Sequence, residues 1–204
     1  MYNNTQINAN YSMTPLQEVS NALTLIYPSG VIIYKYCITP NKFIGYILVG
    51  NLLHLPFAFM YHLDMAVNKK SNRFDNNIRR LDQTFIHVAS IIYSYVLSEC
   101  NVQYMMINCV FNSIGIYRIW LPKYSNDRKR WKHVAYSIVL YIIPMLARGD
   151  IKNFGLSLFY MMLGGISFYP KINFTILRGW GHSIFHLTLG KFASAICDSL
   201  KTLF

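Results

Sequence analysis

Seven long apolar runs, separated by short segments that gather most of the lysine and arginine, constrain this chain more than any other feature. They lie at about residues 19–38, 43–65, 81–97, 102–121, 133–147, 154–169 and 181–200. A run apolar on all sides reads as a helix surrounded by hydrocarbon, because a bilayer core of about 30 Å takes about 20 helical residues to cross. The shorter runs fit with local thinning or snorkelling at their ends. Charged residues make up only 13% of the chain, where a soluble domain carries about 25%. The expected fold is therefore an all-α integral membrane protein, a seven-transmembrane-helix bundle. It would span residues 18–204 as one multi-pass domain, after a disordered polar tail over residues 1–17. That tail has no lysine or arginine and does not read as a cleaved signal peptide.

The net charge of +11 is a property of the loops. With seven spans, twelve basic residues fall on the side of the N-terminus and five on the other. The positive-inside rule then puts the N-terminus in the cytoplasm. It also accounts for the charge without a nucleic-acid partner. Cys37, Cys100, Cys109 and Cys197 form no CxxC and read as small buried side chains. The partner expected from composition is the lipid bilayer itself.

Ionisable residues within membrane spans are costly, so each is a functional candidate. His182 and His186 are four residues apart, on one helical face and one turn from each other. Alternating spans bring His62, at the end of the second run, and Asp82, at the start of the third, to the same membrane level. Three neutral imidazoles with an open fourth position are a catalytic type of zinc site. Zinc lowers the pKa of a bound water toward neutral, and Asp82 is placed to take its proton. The expected metal ligands are thus His62, His182 and His186, the expected catalytic residue is Asp82, and the expected cofactor is Zn2+. His54 would pack against another helix, Asn51 and Asn112 would hydrogen-bond between helices, and His87 would face away from Asp82. Lys191 would snorkel or line a cavity.

Short motifs along the chain resemble the haemolysin III proteins, a group that includes the progestin and adipoQ receptors and the alkaline ceramidases. They are Glu18-Val-Ser-Asn21-Ala-Leu-Thr24, Tyr61-His62, Arg80-Leu81-Asp82 and His182-Ser-Ile-Phe185-His186-Leu187. The resemblance runs from Glu18 to about Leu200. It implies seven spans, zinc on His62, His182 and His186, and Asp82 near the zinc water. It also implies a lipid substrate or fatty acid within the bundle. One position departs from the family pattern: Ala58 stands where the family has a serine, and alanine cannot donate a hydrogen bond. Two functional readings follow. In one, the chain is a zinc-dependent hydrolase of a lipid amide or ester. In the other, the zinc is non-catalytic and stabilises a membrane protein of signalling or permeability. A channel or transporter built on Lys191 and His54 ranks last, because no broken-helix repeat supports it.

Overall fold

The computed structural model describes residues 13–68, 76–121 and 127–201, with the backbone alone at 127–130. Among the described residues it is all-helical. The helices are α1 (Pro15–Thr24), α2 (Ile26–Ile38), α3 (Lys42–Val67), α4 (Asn77–Leu97), α5 (Val102–Trp120), α6 (Asp127–Ala147), α7 (Ile151–Phe168) and α8 (Gly181–Lys201). A π-helical turn, Ile172–Ile176, precedes α8.

The helix starts are written in the sequence. Asn41, Asn76 and Asn101 each accept a hydrogen bond from a backbone N–H of the following first turn, which is the chemistry of an N-cap. Thr14 and Gln17 form a reciprocal capping box, with Pro15 at the first helical position. Helix α1 therefore begins inside the stretch expected to be a disordered tail. Thr-Pro-Leu-Gln is the local signal for it. The rest of that tail, residues 1–12, lies outside the described residues. So do Lys69, Lys70, Arg73 and Lys123 of the two basic loops, and the side chains of Arg128, Lys129 and Arg130.

The first apolar run is two helices, not one. Pro28 has no N–H to give the Thr24 carbonyl, and its ring crowds that carbonyl; the chain breaks at Leu25, between α1 and α2. Pro144 leaves the Leu140 carbonyl free in the same way inside α6, and there the Tyr104 hydroxyl of α5 supplies the missing donor. The fifth run is longer than its apolar part, since α6 starts at Asp127.

Helices α4 and α8 form the interior. Helix α4 packs against α3, α5 and α6, and α8 against α1, α2, α3 and α7. Along its length α4 exposes only Asn77, and α8 only Leu187 and Lys191. Gly164 of α7 lies close against Phe185 and Thr188 of α8, whereas Gly165 faces open space. The apolar core sits toward one end of the bundle. Ile32, Ile44, Ile47, Leu97, Ile142, Met145, Ile196 and Leu200 meet there. The opposite end gathers α1, the end of α3, and the starts of α4 and α8.

Exposure runs against the soluble pattern. Large apolar side chains are exposed on α2, α3, α5, α6 and α7, for example Ile33, Leu52, Leu53, Met106, Val110, Ile143, Phe159 and Met162. Meanwhile Asn21, His87, Ser94, Asn108, Asn112 and Ser137 are fully or almost fully buried. Among the described residues one helix, α3, is by length and composition able to cross a membrane, and only 28% of its apolar stretch is buried in the protein. Of the four cysteines, Cys197 alone is buried, while Cys37 is exposed and Cys100 and Cys109 are half-buried. The expectation of four buried cysteines is corrected accordingly. None is in a disulfide.

Candidate metal centre

His62 lies near the C-terminal end of α3, and His182 and His186 lie on the first turns of α8. The start of α8 is fixed by the turn before it. Asn173 accepts the Gly181 N–H on its side chain at 2.8 Å and the Gly179 N–H on its carbonyl at 2.7 Å. Gly179 takes φ of 91°, a conformation open to glycine. Ser167 of α7 donates to the Gly181 carbonyl at 3.1 Å. Phe168 then stands edge-on to the His182 ring, with centroids 4.7 Å apart.

The three imidazoles converge. Ring centroids are 4.7 Å apart for His62 and His182, 4.6 Å for His182 and His186, and 5.6 Å for His62 and His186. One ligand-type nitrogen from each ring lies within 4.8 Å of the other two. Three nitrogens around a tetrahedral zinc with bonds of about 2.0–2.1 Å sit about 3.3 Å apart, so a small inward movement of side chains closes the group on an ion. All three residues are buried. The donor set is soft enough for zinc and carries no charge of its own.

Helix α1 covers the group. Glu18 Oε2 lies 2.8 Å from His62 Nδ1, with both side chains 3% exposed. Thr24 Oγ1 lies 3.0 Å from His186 Nδ1. Between them, Asn21 donates to Glu18 at 3.4 Å and accepts from Ser183 at 2.7 Å. Gln17 donates to the Arg178 carbonyl at 2.6 Å, tying α1 to the turn before α8.

Asp82 does not belong to the group of three rings. Its Oδ1 is 2.7 Å from His54 Nε2, one helix across, and both side chains are 18% exposed. His54 lies on α3 about two turns before His62. Ala58 is buried one turn before His62, at 3% exposure. The residues that sequence reading passed over as site residues are Glu18, Asn21 and Thr24. Their three-residue spacing, polar within an apolar run, is the signal that finds them, since i and i+3 are neighbours on a helix.

A second polar cluster joins α4, α5 and α6. His87 Nδ1 and Ser137 Oγ each lie 2.7 Å from Asn112 Oδ1, and Asn112 donates to the Asn108 carbonyl at 2.8 Å. Asn112 is thus an interhelical partner as expected, and Asn51 likewise accepts from Ser29 of α2. His87 belongs to this cluster rather than to the Asp82 side. Lys191 is exposed on the outer face of α8.

No protein-family model, no curated protein and no solved structure matches the chain.

Proposed function

We propose that this is a multi-pass membrane protein of the haemolysin III type, with α1–α2 and α3 to α8 as seven spans. In this reading His62, His182 and His186 hold one zinc ion, and the centre hydrolyses a lipid amide or ester. The observation that carries it is the convergence of three buried imidazoles from two distant helices, with a buried carboxylate on one of them. The apolar exposure of α2, α3, α5, α6 and α7 supports the membrane reading, because a soluble monomer does not present apolar surface on so many helices.

Zinc, when bound, would supply Lewis acidity and a water acidic enough to ionise near neutral pH. The chain's own residues do the rest. The three rings leave a fourth position open. Asp82 Oδ1 is in hydrogen-bond contact with His54 Nε2, an acceptor beside an imidazole. The proton acceptor of this reading is therefore the His54–Asp82 pair rather than Asp82 alone. Phe168 and Phe185 shield His182 from solvent.

A second reading is favoured by one residue. Ala58 offers no hydroxyl where the resemblance calls for a donor, and loss of such a donor costs about 10²–10³ in rate. In that case zinc ties α3 to α8 and the protein acts in signalling or permeability. Elemental analysis of the purified protein, beside the double variant His182→Ala with His186→Ala, tests the centre. About one zinc per chain, lost in the variant, is expected. Cleavage of ceramide or a related lipid amide by the zinc-loaded protein then separates the two readings. Protein that takes up no zinc even when supplemented would sink both.

A further inference from the structure

We infer that helix α1 chooses which ring nitrogens are free for the metal, with Glu18 the positioning residue for His62 and Thr24 the positioning residue for His186. The inference rests on the metal reading above and deepens it.

The argument is a hydrogen count. Glu18 Oε2 already accepts from the Asn21 side-chain amide, and as an acceptor toward His62 Nδ1 it places the ring proton on Nδ1. The Nε2 lone pair of His62 is then the ligand. Thr24 has one hydroxyl hydrogen, and it is committed to backbone carbonyls one turn back, 2.8 Å from Ser20 O and 3.1 Å from Asn21 O. Its oxygen is therefore the acceptor toward His186, and His186 Nδ1 is the donor. Both rings thus carry a proton on Nδ1 and offer Nε2, and one short helix sets both.

The backbone suits this task. Helix α1 has its own capping box at Thr14 and is separated from α2 by the Pro28 break. It is fastened at its start through Gln17 to the Arg178 carbonyl and in its middle through Asn21 to Ser183. Each anchor is a residue next to, or within a few positions of, a histidine of α8. A carboxylate on the far nitrogen also makes His62 a more basic ligand.

The test is a competition titration of zinc into full-length protein in detergent, for wild type, Glu18→Gln, Glu18→Ala, Thr24→Val and Thr24→Ser. Loss of an outer-shell partner typically costs 10–100-fold in metal affinity. Glu18→Ala and Thr24→Val are expected in that range. Glu18→Gln keeps the volume and an acceptor and should lose less, while Thr24→Ser should restore wild-type affinity. Nitrogen-15 NMR of the histidines in metal-free protein reads the tautomers directly. His62 and His186 are expected as Nδ1–H forms in wild type, with Nε2–H signal growing for His62 in Glu18→Ala. Wild-type affinity in all four variants with unchanged tautomers would overturn the role of α1 and leave the metal centre standing. Wild-type protein that binds no zinc would overturn both.

Discussion

Asp82 and His54 meet at 2.7 Å across the α3–α4 interface, each 18% exposed. The carboxylate is held by an imidazole and not by the three-histidine group, so in the proposed hydrolase the two residues act as a unit. His54→Ala, Asp82→Ala and the double variant should each lower lipid hydrolysis by a similar factor, about 10²-fold or more, because residues that act as a unit are not additive. Zinc content should not change. Rates that multiply in the double variant would show that the two side chains work separately.

Chelation should loosen the bundle. If α3 and α8 hold zinc as proposed, the ion stabilises only the folded state, so its removal lowers the melting temperature. His62→Ala should melt where chelated wild type melts and should not respond to added chelator. Differential scanning fluorimetry in detergent reads both.

The Asn112 cluster should be costly to open. Asn112→Ala leaves the His87 and Ser137 donors buried without their acceptor, and each such loss costs about 1–3 kcal/mol. Asn112→Asp keeps the acceptor and should fall between wild type and the alanine variant. Denaturant midpoints of the three proteins would rank them.

The glycine pair separates contact from composition. A side chain at Gly164 runs into Phe185 and Thr188, whereas one at Gly165 meets nothing. Gly164→Leu should destabilise by about 1–3 kcal/mol or more through overpacking, and Gly165→Leu should fall within about 0.5 kcal/mol of wild type. Equal effects would mean that α7 and α8 are not seated as described.

Asp150 should contribute an acid limb. Partial burial works against its ionised form, but hydrogen bonds from Ser199 and Asn153 and the nearby Arg148 outweigh that and hold its carboxyl below the usual range. A folded pKa below the unfolded one adds stability above the unfolded pKa of about 3.9, and this is lost as pH falls through the folded value. Asp150→Asn should therefore lower stability at neutral pH and flatten its dependence below about pH 4. Melting temperature against pH for the two proteins checks it.

Much of the site was legible in the sequence, for a definite reason. Apolar run lengths and alternation place His62 and the His182–His186 pair at one end, because neighbouring antiparallel helices share their depths. Depth does not give azimuth. Asp82 starts α4 as expected, yet it meets His54, about two turns from His62, and only packing decides that. Glu18 and Thr24 were hidden differently. They belong to a helix whose start is set by Thr14 and Pro15 and whose end is set by Pro28, so reading residues 19–38 as one span left Glu18 just before that span rather than on a helix of its own. The Thr14–Gln17 spacing carried the missing information.

Thr24 and His186 are 162 positions apart, and the contact joins the first helix to the last. Helices α2 to α7 have all been synthesised between Thr24 and His186. In the proposed membrane reading the histidine group therefore forms only by closing this ring, and a chain that inserts one segment the wrong way round cannot form it. If the three histidines hold a metal as proposed, its occupancy doubles as a proofreading signal for topology. A cell that degrades metal-free copies would clear mis-inserted ones by the same act.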